Sequence, residues 1–190
     1  MLILNSNIIN KNVMSLQTGT VLAKIIKSVV DPSDLKIAAF YLEDRFEKKA
    51  QNFLMTKDIR ELSPIGAIVD SSDEFVTKED VISLEKIIQI NIELVGMQVI
   101  DENKRKIGKV TDYAINSKDF FIWQLHVGHG FVKSISSVSS IISRNQIIEI
   151  TDSQIVVKSP EEKIKSKDKS ANQVFINPFA TSSSPESTEA

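Results

Sequence analysis

The chain has 190 residues, 42% hydrophobic, 25% charged and 6% aromatic, with a formal net charge of −2 and no cysteine. That length suits one domain or two small ones, and 6 Gly with 5 Pro exclude collagen-like and low-complexity chains. Without cysteine there is no disulfide framework, thiol nucleophile or thiolate metal site, and a pI near 5.8 argues against general nucleic-acid binding.

The apolar residues are mostly Ile and Val, which favour strands. At the N-terminus, Met1-Leu2-Ile3-Leu4 is apolar, but Asn5, Ser6, Asn7 and Asn10 interrupt the run and Lys11 follows it. A signal peptide needs a positive segment first and then a continuous apolar one, so none is read here. No stretch approaches the ~18 uninterrupted apolar residues of a membrane-spanning helix. A cytoplasmic protein is the expectation. Strand-forming segments then alternate with turns, and Glu43 to Gln51 reads as a charged loop or single helical turn. Thr77, followed three residues later by Asp80, approximates a helix N-cap ahead of Val81 to Ile88, a short connecting helix.

Beyond it, Met97 to Ile100, the polar turn Asp101 to Arg105, and Lys106 to Val110 predict a hairpin. Gly108 there marks a bulge or close backbone approach. Val110, Asp112, Ala114 and Asn116 alternate with Thr111, Tyr113 and Ile115, the pattern of a half-buried strand. Phe120 to Val127 continues with bulky strand formers, Gly128-His129-Gly130 turns the chain, and Phe131-Val132 begins the next segment. From Ser159 onward too little apolar surface remains to offset chain entropy, so residues 159–190 read as a disordered tail. Within it, Val174-Phe175-Ile176-Asn177-Pro178-Phe179 is an apolar patch that suits a docking peptide or a segment resting on the folded body, with Phe175 and Phe179 as its contacts.

The ordered part contains an internal repeat. Ala23 to Asp31 can be laid on Gly108 to Asn116 with a shift of 85 residues, which also places Ile37 on Ile122, Phe40 on Leu125 and Leu42 on Val127. Each half then closes with an apolar stretch and an acidic turn, Ile65 to Asp70 in the first and Ile147 to Asp152 in the second, at a shift of 82. Units of about 75 residues are too long for a solenoid and long enough for small domains. The domains expected are residues 13–82, residues 91–158 and the tail.

Leu94-Val95-Gly96-Met97-Gln98-Val99-Ile100-Asp101, followed by Lys106-Ile107-Gly108-Lys109-Val110-Thr111-Asp112, resembles the PRC-barrel signature. The first unit is a weaker copy, with Ala23 in place of the glycine and Ile26-Lys27 in place of Thr-Asp. The resemblance implies an all-β fold with minor helical linkers: two small SH3-like PRC-type barrels in tandem and a disordered tail. The family occurs in the photosynthetic reaction centre H subunit, in a ribosome maturation factor that contacts a ribosomal protein, and in archaeal cell-division partners. It carries no shared catalytic residues, which agrees with reading Gly96, Asp101, Gly108 and Asp112 as turn and bulge residues.

Other chemistries find little support in the sequence. His126 and His129 fall on opposite sides of a strand, and Asp101-Glu102-Asn103 lacks the spacing of a calcium loop. There is no Walker or dinucleotide fingerprint, and the serines from Ser134 to Ser143 lack a nucleophile elbow. No metal, cofactor or catalytic residue is expected. Lys104, Arg105, Lys106 and Lys109 form a basic hairpin tip that can touch phosphate or simply be solvated. The function expected is a non-enzymatic protein-interaction or scaffold module with an unidentified protein partner, working through strand edges and an apolar groove at the inter-barrel cleft. The alternative is a ribosome maturation or assembly factor binding a ribosomal protein or RNA.

Overall fold

The computed structural model describes residues 1–44, 52–128 and 140–159. The expectations for residues 45–51, for His129 through Ser139, and for the tail from residue 160, including Phe175 and Phe179, lie outside the described residues. Among the described residues of the compact unit Met1–Pro160 the fold is all-β apart from one short helix and single turns of 3-10 helix.

β1 (Leu2–Leu4) opens the chain. β2 (Asn12–Ser15), β3 (Val21–Asp31), β4 (Lys36–Asp44), β5 (Asn52–Met55), β6 (Glu61–Ser63), β7 (Gly66–Val69) and β8 (Phe75–Val76) form a first sheet, in the order β6-β7-β2-β3-β4-β5-β8. The helix α1 (Ile82–Ile90) follows. β9 (Gln98–Asp101), β10 (Lys106–Asn116), β11 (Ile122–Gly128), β12 (Ser140–Ser143), β13 (Ile147–Ile150) and β14 (Gln154–Val157) form a second, in the order β13-β14-β9-β10-β11-β12, with β1 added along β10. Both sheets are mixed: β2 runs parallel to β7 and β9 to β14, while the other pairs are antiparallel.

The two sheets therefore share one strand order. β10 spans positions shifted by 85 residues from β3, and β12 positions shifted by 88 from β5. The matching of Ile65–Asp70 with Ile147–Asp152 is corrected. Parallel pairing identifies β14 as the counterpart of β7, so β13 corresponds to β6. Two apolar runs ending in acid match in composition, which carries no information about pairing partners. The true counterpart of Gly96 also becomes visible. Asn10 (φ 65°) donates its N–H to the Ile25 carbonyl at 2.7 Å, as Gly96 (φ 91°) does to Val110 at 2.8 Å. Asparagine is one of the few side chains that visits this left-handed region readily.

The halves meet across a local two-fold relation. Ile37 donates its N–H to the Phe120 carbonyl at 2.9 Å, and Ile122 returns the bond to the Leu35 carbonyl at 3.0 Å. These pairs exchange under the same shift of 85. Leu35 (φ 47°) and Phe120 (φ 61°) both hold a left-handed backbone that L-residues avoid. Their side chains are buried, and that burial offsets a strain of about 1–3 kcal/mol each. Phe120 meets Phe40 edge-on at 6.5 Å, and a single apolar core runs from Ile3 through Ile37 and Phe40 to Ile122 and Val157.

The segment ahead of each half packs on the other half. β1 pairs with the end of β10, placing Ile3 opposite Ile115, and Ile3 is 2% exposed. The strict alternation expected along β10 is lost there: Tyr113, Ala114 and Ile115 are all buried, and β1 pairs with Ala114 and Ile115 along this edge. α1, ahead of the second sheet, packs on the outer face of the first through Leu84, which touches Ala39 and Phe53. It begins later than the N-cap expectation. The backbone N–H and hydroxyl of Thr77 both donate to the Asp80 carboxylate (2.7 and 2.8 Å), closing a separate turn, and Val81 is the N-cap.

Candidate functional site

The turn residues read from the sequence occupy the second sheet. Asp101 ends β9 and is 2% exposed. Its Oδ1 accepts the N–H groups of Asn103 and Arg105, both at 2.8 Å, and its Oδ2 accepts Arg105 Nε at 2.7 Å. Burial pushes this carboxyl up, but the bonds from Arg105 and Asn103 outweigh it and hold the group below its ordinary range. Gly108 lies at a register shift of β10, where a Cβ would stand 2.3 Å from the Gly128 carbonyl oxygen. Asp112 accepts the Ser6 hydroxyl at 2.6 Å and the Ser6 N–H at 3.3 Å, tying the N-terminal segment to β10. Lys104 takes a left-handed backbone (φ 61°) and donates its N–H to the Asp101 carbonyl. Lys104, Arg105, Lys106 and Lys109 are all exposed, but the Arg105 guanidinium is held by Asp101, and Glu102 shares the tip.

His126 sits half-buried on β11, opposite Ile141 of β12. Among the described residues no three His, Asp or Glu side chains come together to hold a metal ion. No helix among them is long and apolar enough to cross a membrane.

The cleft between the halves is crossed by polar ties. A groove of about 250 Å³ opens there beside Ile9, Ile26, Leu94 and Val95. Lys27 and Glu93 pair at 3.3 Å beside it, and the Ser28 hydroxyl donates to Asn5 Oδ1 at 2.6 Å. Tyr113 lines the same groove, and burial pushes its phenol well above the ordinary value. A partner entering here would have to displace these bonds.

Among the described residues the outer face of the second sheet has no such tie. Trp123, the only tryptophan of the chain, is 46% exposed, Ile141 is 56% exposed, and Leu2 of β1 is 46% exposed. Single exposed apolar residues are ordinary; these share one face. Trp123 is the extra residue where β11 slips against β10, between the pairs Ala114–Gln124 and Ile115–Ile122. Its ring and Leu2 line a groove of about 430 Å³, with Gln124, Ser143, Arg144 and Asn145. Arg144 is fixed from behind: its guanidinium donates to the backbone carbonyls of Leu35 (2.9 Å) and Asp34 (2.5 Å) and lies over the Phe121 ring at 4.7 Å. Lys36 approaches the same ring at 5.3 Å.

Sequence reasoning passed over Trp123 as one bulky strand former among several. A usable signal was present at the shift of 85. Gln124 falls on Ala39 and His126 on Tyr41, so one face of β11 is polar where β4 is apolar, with the tryptophan beside it.

These features define a small mixed β-sheet domain with a tight charged turn and an open aromatic face. Residues 92–164 match the PRC-barrel domain family. The match takes in β9 to β14 and therefore most of the open face. No curated protein matches the chain.

Proposed function

We propose that this protein is a non-enzymatic, cytoplasmic interaction module that binds a protein partner on the outer face of its second sheet, and that its first sheet is a diverged PRC-type barrel. The observation that carries the reading is the joint exposure of Trp123, Leu2 and Ile141 on the face that holds the groove beside Arg144. Tryptophan and arginine are the residues on which interface energy most often concentrates, and a large exposed patch is otherwise a liability. The PRC-barrel match supports the same reading, since such domains often mediate protein contacts. The test is site-specific photo-crosslinking in cells with the crosslinker at position 141 and, as a control, at Ile65, which is 84% exposed on the first half. The reading expects a discrete partner band from position 141 that Trp123→Ser abolishes. Equal labelling from both positions would count against it.

A second reading, binding to a ribosomal component, rests on the exposed Lys104, Lys106 and Lys109. It expects ribosome co-sedimentation that collapses between low and moderate salt and is lost when these lysines are replaced by glutamine. Sedimentation unaffected by salt would remove it.

A further inference from the structure

The repeat supplies a template for what the open face receives. On the first sheet the outer face is built from Ala39 and Tyr41 of β4 and from Phe53 and Met55 of β5, with Ala39 opposite Met55 and Tyr41 opposite Phe53. On the second sheet Gln124 stands opposite Ser143 and His126 opposite Ile141. The shifts of 85 and 88 place these pairs at equivalent positions. The first face is occupied: α1 sets Leu84 onto Ala39 and Phe53, and all three residues are nearly or fully buried. The second face carries no helix among the described residues, and its groove opens at Gln124 and Ser143, the counterparts of Ala39, which clusters with Leu84, and of Met55, which packs against that cluster.

From this we infer that the open face receives a short amphipathic helix of a partner protein, seated as α1 sits on the first sheet, with a leucine against Trp123 and Ile141 and an acidic residue toward Arg144. The inference rests on the interaction reading above and names the partner's chemistry. Charge gives the acidic residue. The groove contains the Arg144 cation and no carboxylate among its lining residues. Because Arg144 is already anchored to two backbone carbonyls, it meets a partner at little further cost in side-chain entropy. The helix α1 has the required pattern in its own sequence, with Glu85 directly after Leu84 and Ile87-Ile88 one turn on. The slot differs from the first one in being more polar, through Gln124, His126 and Ser143, which suits a partner that associates reversibly.

The experiment uses the full chain and a synthetic, end-blocked peptide of residues 79–92 as the probe. Trp123 is the only tryptophan, so its emission reports the face directly. The inference expects a saturable blue shift of that emission at peptide concentrations up to about 1 mM. Leu84→Asp in the peptide, or Ile141→Asp in the chain, should each weaken binding by more than about tenfold. Glu85→Lys in the peptide should weaken it less, and more at low salt than at high salt. No shift, or a shift that the Leu84→Asp peptide reproduces, overturns the inference. Binding that leaves Trp123 emission unchanged means the peptide displaces α1 from the first sheet, and overturns it equally. A discrete crosslinked partner at position 141 combined with failure of the peptide would leave the interaction reading standing and remove only the helical occupant.

Discussion

The two sheets have the same strand order, yet they treat their outer faces and their edges in opposite ways. The first covers its outer face with α1 and leaves the far part of β3, beyond Ile25, unpaired on the side away from β4 among the described residues. The second fills the corresponding edge of β10 with β1 and, among the described residues, leaves its outer face open. Both additions come from the segment immediately ahead of a repeat unit, and each crosses to the other half. One segment became a strand and the other a helix. The difference teaches that two sheets of one strand order can hide different surfaces, and the surface left open is the place to look for a partner.

The sharpest way to break this contrast is at its matched pair, Phe53 and Ile141. Phe53→Ala should cost about 3–5 kcal/mol in urea unfolding, because the ring is 5% exposed beneath α1 and against Tyr41. A cost near zero would mean that α1 does not cover this face in solution. Next in size, Leu84→Ala should cost about 2–5 kcal/mol, with hydrogen exchange rising first in α1 while the amides of β10 stay protected. Uniform loss of protection would show instead that the helix is integral to both halves.

The hairpin turns give a third comparison. Asp101 ends β9 where Ser15 ends β2; the serine hydroxyl donates to the Asp70 carbonyl at 2.9 Å and carries no charge. Asp101 has a folded pKa below its ordinary value of 3.8. Its stabilisation is therefore present above that value and lost as the pH falls through the folded one. Asp101→Asn should lower the urea midpoint at neutral pH, and the gap to the wild type should close as the pH falls below the ordinary carboxylate range and through the lowered folded value. A gap independent of pH would contradict the assignment. Smallest of all, Ile141→Ser should change stability by no more than about 0.5 kcal/mol, since the side chain is already in solvent.

Much of the fold was legible because the repeat preserves the spacing of its core. Ile37 with Ile122, Phe40 with Leu125 and Leu42 with Val127 are all buried and all obey one shift. The pattern failed where one conformation accepts different residues. Asn10 fills the left-handed position of Gly96, so residue identity concealed the start of the first unit. It failed again where burial is non-local: nothing in Leu2-Ile3-Leu4 tells that its strand partner lies at Ala114 to Asn116. The basic tip was visible as charge, but the capture of Arg105 by Asp101 needed coordinates. Trp123 was hidden for the opposite reason. A strand former in a strand draws no notice until the slip against β10 turns it outward.

The central claim is that equivalent faces of the two halves differ in cover, and collisional quenching of tryptophan tests it most directly. Acrylamide should quench Trp123 of the wild-type chain readily. A single tryptophan placed by Phe53→Trp in a Trp123→Phe background should be strongly protected, and Leu84→Asp should remove that protection. Equal quenching of the two positions in otherwise unaltered chains would contradict the account.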